Sequence, residues 1–489
     1  MHEPVHSHPC CGTEHPGGMS CLCGRPETMR AMQRIEADIS RRRMLGGMAA
    51  LVGMFAGFRV AAGPDERPGL PDRPLLLVNL RLFDGQSLHL REGVAVLIQG
   101  ERIVDLITPD AAPEGVLRVD CGGRVVMPGL IDAHWHTTLA GVDMRTALTA
   151  DPAYIHLQAA REARATLMRG FTTVRDVGGP AFALKRVIDE GVTPGPRIFP
   201  SGAMISQTSG HGDFRMRHEV PRTALSGPTQ TELSGVSVIA DGADEVLRRA
   251  REQLMLGASQ IKLMAGGGVA SLYDPLDSVQ YTERELRAGV EAARDWGTYA
   301  TVHVYVPEGI KRAIRAGVGC IEHGQLADEE AVRMMAGEGV WWSLQPFLQD
   351  EDSNVYRDPE QVAKQTRVAR GTEQAYAWAR EHEVQTAWGT DILFAPDKTH
   401  TQGRQLAKMT RFCEPLEVLR MATGDNGRCL ALSGPRAPYG SGLGVVQPGG
   451  LADLLVVDGE PERDLSFLAE PENSLWLIMK GGRMYRNTL

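Results

Sequence analysis

Two histidines one residue apart, His134 and His136, close the run Val125-Val126-Met127-Pro128-Gly129-Leu130-Ile131-Asp132-Ala133-His134-Trp135-His136. In an extended strand, residues i and i+2 project from one face, so both imidazoles point the same way. Neutral imidazoles held side by side at a strand end suit a divalent transition metal. The pair alone divides evenly between a ligand pair and coincidence. Other apolar runs, however, also end in metal-ligand chemistry. Lys262 lies in Ile261-Lys262-Leu263-Met264, and His303 in Thr301-Val302-His303-Val304-Tyr305. His323 closes Ile321-Glu322-His323-Gly324, and Asp391 closes Trp388-Gly389-Thr390-Asp391. A lysine inside an apolar strand is buried at a cost unless it is paired or modified. Four histidines, one lysine and one aspartate closing such runs read as a metal site.

The elements that must position these residues follow from hydrophobic pattern. The middle of the chain alternates short apolar runs with longer helical patterns, the signature of βα units. Eight strands are expected over 125–136, 171–177, 197–205, 260–265, 300–306, 319–323, 340–344 and 386–390. Helices are expected at Pro152–Arg169 and Ala243–Leu256, and a third begins at Thr282 with Glu285 completing a capping box. Eight such units predict an α/β fold, a TIM (β/α)8 barrel with its chemistry at the C-terminal strand ends. A doubly wound open sheet is the alternative. Trp341 and Trp342 read as packing residues.

Both ends of the mature chain are strand-rich. Leu75–Leu82, Val94–Ile98, Arg102–Ile107, Arg118–Cys121, Leu451–Val457 and Ser474–Met479 are separated by turns such as Asp84-Gly85 and Gly481-Gly482. The expected organisation is therefore a small β-sandwich domain from 74–127 and 440–489, with the barrel spanning 128–435.

The chain has 489 residues, is 43% hydrophobic and carries a formal charge of -9. That length suits a barrel plus a second unit. Mild acidity and the absence of a basic stripe argue against nucleic acid. Residues 1–63 read as a presequence. Ser40-Arg41-Arg42-Arg43 precedes an uncharged apolar run from Met44 to Phe58, followed by small residues at Ala61-Ala62. This resembles a twin-arginine export signal, and the run is too short for a comfortable membrane span. No stable membrane insertion is expected after processing. Ahead of it, His2, His6, His8, Cys10, Cys11, His15, Cys21 and Cys23 crowd together. His2-Glu3-Pro4-Val5-His6 spells HExxH, but Pro4 spoils the helix that motif needs. Cys121, Cys320, Cys413 and Cys429 show no disulfide spacing and read as buried thiols.

These motifs carry a resemblance. From about Leu75 onward the chain resembles the amidohydrolase superfamily, in particular the imidazolonepropionase-like branch with Xaa-Pro dipeptidases and ochratoxinase-type carboxypeptidases. The resemblance rests on Pro128–His136, Thr172-Thr173-Val174-Arg175-Asp176, Ser209-Gly210-His211-Gly212-Asp213-Phe214-Arg215, Ile261-Lys262, Ile321–Gly324, Gly389-Thr390-Asp391 and Gly449-Gly450-Leu451-Ala452-Asp453-Leu454. It implies a binuclear site for two Zn2+, with Co2+ or Mn2+ as alternatives. His134, His136 and Asp391 would hold the more buried metal, His303 and His323 the more exposed one, and carboxylated Lys262 would bridge them.

The resemblance further implies a metal-bound hydroxide as nucleophile, with Asp391 taking its proton and passing it to the departing amine. His211, in a loop after the third strand, would hydrogen-bond the carbonyl oxygen in the transition state. Tyr273 and Arg215 would receive the substrate's terminal carboxylate. A loop-anchoring histidine and a surface salt bridge are the plain alternatives for His211 and Arg215. The implied substrate is a small amide or dipeptide cut before its C-terminal residue, and the implied assembly is a homo-oligomer. Hydrolysis of a cyclic amide or lactone, or deamination, is the competing enzymatic reading, and Lys262 speaks against deamination. An inactive scaffold would have lost ligands, and all six expected ones are present. No G-x-S-x-G motif supports a serine hydrolase.

Overall fold

The computed structural model describes residues 67–219, 227–271 and 273–489. The expected presequence, with its arginine-led apolar run and Cys/His cluster, lies outside the described residues. No helix among the described residues is long and apolar enough to cross a membrane.

The run that carries His134 and His136 is two strands rather than one. Val125–Pro128 pairs antiparallel with Leu454–Val457, and Leu130–Trp135 pairs parallel with Phe171–Asp176. The chain changes sheet at Gly129. A Cβ on that residue would lie 2.1 Å from Thr172 Oγ1, so the crossing admits only glycine.

Around this crossing the strands sort into two groups. The first comes from both ends of the described chain. A four-stranded sheet runs Arg102–Ile107, Ala95–Gln99, Leu75–Val78, Leu117–Asp120. A five-stranded sheet runs Arg483–Asn487, Leu475–Lys480, Leu454–Val457, Val125–Pro128, Arg81–Leu82. Leu75, Val96, Val126, Leu454 and Leu477 from these two sheets belong to one apolar cluster. The expected strand 75–82 is broken at Asn79, whose φ of 53° turns the chain from one sheet to the other.

The second group is parallel and alternates with helices, as expected of an α/β fold. Three strands, Leu130–Trp135, Phe171–Asp176 and Arg197–Pro200, form one sheet. Seven form another, ordered Ser237–Ile239, Met204–Ser206, Ile261–Met264, Ala300–Val304, Cys320–His323, Trp341–Leu344, Thr386–Trp388. The expected strand 197–205 is thus split between the two sheets, and Ser237–Ile239 adds a strand too short for its pattern to be visible. Single hydrogen bonds link the sheet margins: Asp391 N–H donates to His134 O at 2.8 Å, and Ser259 N–H to Pro200 O at 2.7 Å.

Local sequence explains the helices. Asp151 caps Pro152–Met168 by accepting from Ala153 N–H, with proline at the first turn. Thr282 and Glu285 form the expected capping box of Glu283–Asp295. Ala243–Leu256 stops at Gly257, whose φ is 102°. Trp342 is fully buried in its strand, and the four described cysteines are buried free thiols.

Candidate metal centre

The four histidines and Asp391 sit near or just past the C-terminal ends of parallel strands, Lys262 sits within the strand Ile261–Met264, and all six line one cavity of about 480 Å³. His134 Nε2 and His136 Nε2 both lie 3.2 Å from Asp391 Oδ1. These three side chains form a cluster compatible with metal binding. His323 stands beside them, its ring 4.8 Å from that of His134 and 4.4 Å from that of His303. Two of these positions require unusual backbone: φ is 72° at His323 and 55° at Asp391. Such left-handed, non-glycine residues are costly and cluster at functional sites.

The donor set fits a metal because every imidazole has one nitrogen tied to an acceptor. His136 Nδ1 faces Gly178 O at 2.9 Å, and His134 Nδ1 faces Glu322 Oε2 at 2.7 Å. His323 Nδ1 meets Gln345 Oε1 at 2.7 Å, while His303 Nε2 meets Gly267 O at 3.2 Å. Each tied nitrogen donates its N–H, so the other carries the lone pair a metal needs. Burial holds His303 and His323 well below the ordinary imidazole range, with His211, His323 and Lys262 adding to it at His303 and Asp391 opposing it at His323. Burial alone would raise the Asp391 carboxyl, yet the neighbouring His134 and His136 more than offset it and hold the carboxyl well below its ordinary range.

Lys262 is 1% exposed and has no hydrogen bond or ion pair among the described residues. Burial pushes its ammonium down to about 8, against the opposing pull of Glu322 and Asp391. The depressed value enlarges the share of neutral amine, which is the form that reacts with carbon dioxide.

Beneath the ligands lies a buried network that the sequence reading missed. Glu322 accepts from His134 Nδ1, from Thr301 Oγ1 and from Arg175 Nη2, the last at 2.8 Å. Arg175, fully buried, also donates to Ala133 O and to Tyr299 Oη. Asp132 accepts from His134 N–H and from Thr390 N–H, both at 3.1 Å, and so joins the two strand ends that carry His134 and Asp391. Asp176 accepts from Thr137 N–H at 2.7 Å, and burial pushes it up to about 6. The available signal was type and place: acids and an arginine inside apolar strands that could not be solvent-facing.

The three expected substrate contacts divide. His211 reaches the cavity, its ring stacked 4.0 Å from that of His303 and backed by Gly268, where a Cβ would lie 1.9 Å from the His211 ring. Its Nδ1 lies 3.0 Å from Ser271 Oγ and 3.4 Å from Asp274 Oδ2, leaving Nε2 toward the cavity. Arg215 does not line the cavity. It is buried and holds Asp213 through two bonds, Nε–Oδ1 at 2.7 Å and Nη2–Oδ2 at 2.5 Å. Its fork is already filled, so the expected carboxylate contact is corrected to a loop-bracing ion pair. Tyr273 is 40% exposed, lies under the Arg217 guanidinium and is not part of the cavity lining.

Known proteins share this arrangement of elements. Ochratoxinase from Aspergillus niger is 31% identical over 429 residues, covering 83% of this chain and 85% of that one. A solved prolidase complexed with N-methylphosphonate-L-proline matches with a TM-score of 0.77 at 32% identity, over 85% of this chain and 100% of the other. A solved Xaa-Pro dipeptidase with methionine bound in its active site gives 0.73 at 28% identity, again over 85% and 100%. These neighbours imply a TIM-barrel-like α/β fold for the parallel strands. The amidohydrolase family model matches residues 125–484, from the strand before His134 to the last strand of the chain. With strand-end histidines, Asp391 and relatives of this extent agreeing, the chain belongs to the amidohydrolase family.

Proposed function

We propose that this protein is a binuclear, metal-dependent amide hydrolase that releases a C-terminal amino acid from a dipeptide or an N-acyl amino acid. The observation that carries the reading is Lys262, buried and unpaired in a cavity walled by five imidazoles and Asp391. As a carbamate Lys262 would add an anionic ligand to those of the imidazoles and Asp391, and the cost of a buried ammonium would disappear. His134, His136 and Asp391 would hold one metal, and His303 and His323 the other, zinc being the expected ion. Two bound metals would supply an acidified water and a polarised carbonyl.

The chain's own residues do the rest. Asp391 Oδ, flanked by two imidazole Nε2 atoms, receives the proton of the attacking water and returns it to the departing nitrogen. His211 is held flat between Gly268 and His303. With Nδ1 engaged by Ser271 Oγ, its Nε2 N–H can donate to the carbonyl oxygen. The relatives named ochratoxinase and Xaa-Pro dipeptidase support the amide class and the C-terminal cut. The closed barrel, the β-sandwich of 74–127 with 440–489, and export through the paired arginines belong to the same proposal.

The test is amino-acid release from a panel of dipeptides and N-acyl amino acids, including Xaa-Pro members and ochratoxin A, by protein reconstituted with zinc and bicarbonate. Release of the C-terminal residue, abolished by EDTA, is expected. Metal-loaded protein that is silent across the panel would turn the reading toward cyclic amides or lactones.

A further inference from the structure

The cavity wall beside His136 and Lys262 is apolar and rich in methionine and phenylalanine. Met264 lies two residues after Lys262 in the same strand, so both project toward the cavity. Met204 packs beside His136: a Cβ on Gly178 would touch Met204 Cγ at 2.5 Å and His136 Cε1 at 3.2 Å. Met144, at the start of the helix Met144–Thr149, and Phe214, Leu393 and Phe394, in loops, extend this wall from segments following three different strands. Phe214 and Phe394 meet edge to face, ring centroids 6.2 Å apart.

Two features separate this wall from ordinary core. Met204 and Met264 are buried, but Met144, Phe214, Leu393 and Phe394 are only half-buried, with their free surface on the cavity. Apolar surface left open inside a concave site is surface a ligand can cover. Methionine is also the side chain that adapts to ligands of varied shape and makes favourable sulfur–aromatic contacts. The lining also holds a second apolar stretch, with Tyr305, Phe347, Leu348 and Tyr356, and a charged corner where Asp350 and Asp352 pair with Lys408.

We propose that Met144, Met204, Met264, Phe214, Leu393 and Phe394 form a specificity subsite. It takes an aromatic or long apolar side chain on one of the two residues flanking the scissile amide. Adjacency to His136 and Lys262 places that side chain next to the bond that is cut, not at a distant end of the substrate. Small side chains would leave the half-buried phenylalanines uncovered. This inference rests on the amide-hydrolase reading, and the experiment separates the two.

Metal-loaded wild-type protein, Phe394→Ala and Met144→Ala are compared on dipeptides in which glycine, alanine, leucine, methionine and phenylalanine replace each flanking residue in turn. At one of the two positions, wild type is expected to favour methionine and phenylalanine over alanine by about tenfold or more in kcat/KM. Each variant, shown by its melting curve to be folded, is expected to lose most of that ratio. A ratio that survives both substitutions, or no preference in wild type, overturns the subsite. If no member of the panel turns over, the hydrolase reading fails, and the subsite is judged by binding. Thermal shifts with free L-phenylalanine and L-methionine should exceed those with L-alanine in wild type and not in Phe394→Ala. Equal shifts overturn it.

Discussion

The sheets built from the chain ends and the parallel strands between them bury their interiors by opposite means. In the terminal sheets the shared interior is Leu, Val, Ile, Ala and Met with one thiol, Cys121. In the parallel region the strand ends bury Asp132, His134, Arg175, Asp176, Lys262, Glu322 and His323, each at 2% exposure or less. The first interior is held by removal of apolar surface from water, which is non-directional. The second holds charge only because nearly every charged atom has a partner. Function therefore sits where burial is least favourable, while the cluster shared by the two terminal sheets is apolar. Gly129, between Val126 of the first interior and His134 of the second, is where the chain passes from one regime to the other.

Substitution at Lys262 should break this contrast most severely. Lys262→Ala removes the sole buried ammonium of the proposed site, and activity should fall by about 10³-fold or more, ~4 kcal/mol of barrier. Short carboxylic acids supplied in solution should restore part of it. Stability should hold or rise, since a buried amine without a hydrogen-bond partner is lost. Steady-state kinetics with and without propionate, beside a melting curve, check both halves; near-normal turnover would sink the two-metal reading.

Glu322→Gln tests the network rather than the ligands. It leaves Arg175 buried with no carboxylate and weakens the hold on His134 Nδ1. Breaking a buried pair by removing one partner costs about 3–5 kcal/mol, and loss of an outer contact to a metal-bound histidine lowers metal affinity about 10–100-fold. Denaturant unfolding and a competitive metal titration should both move. Unchanged metal affinity in a destabilised variant would make Glu322 a folding residue only.

Leu454→Ala sharpens the comparison from the other side. Leu454 is fully buried in the terminal interior, and its truncation should cost about 2–4 kcal/mol. Activity per folded molecule should stay within about twofold at a temperature where the variant is native. A large loss of kcat in the folded variant would show that the two interiors are coupled.

The same contrast explains what the sequence made legible. Ligands were readable because each closes an apolar run, and period-two alternation puts His134 and His136 on one face. The capping box at Thr282 and the break at Gly257 are local and were readable for the same reason. Arg175 and Glu322 gave no such signal, because their partners lie on strands 42 to 188 residues away, at Ala133 and His134. Arg215 misled for the reverse reason. Its partner Asp213 is two residues off, so a local ion pair looked like an open cationic site. The splits at Gly129, Asn79 and between Pro200 and Met204 were hidden because an apolar run does not say which sheet it joins.

One buried charge of the terminal sheets offers the smallest and cleanest test. Lys480, at the end of Leu475–Lys480, donates to Gly195 O, with Arg197, Asp453, Asp189 and Arg67 nearby. Burial first, then Arg197, pushes its ammonium down to about 8 from an ordinary lysine value of 10.5. A cation whose folded pKa is depressed binds fewer protons in the folded state between those two values, so stability rises with pH across that window. Lys480→Met lacks the group. The stability of wild type relative to Lys480→Met should therefore be flat below pH 8 and increase toward pH 10.5, by on the order of 1 kcal/mol once relaxation around the amine is allowed for. Urea unfolding of both proteins at pH 7, 8, 9 and 10 gives that difference directly. A difference that stays flat, or falls, would mean that this amine is as well solvated folded as unfolded, and the terminal sheets would then hold no buried charge that matters.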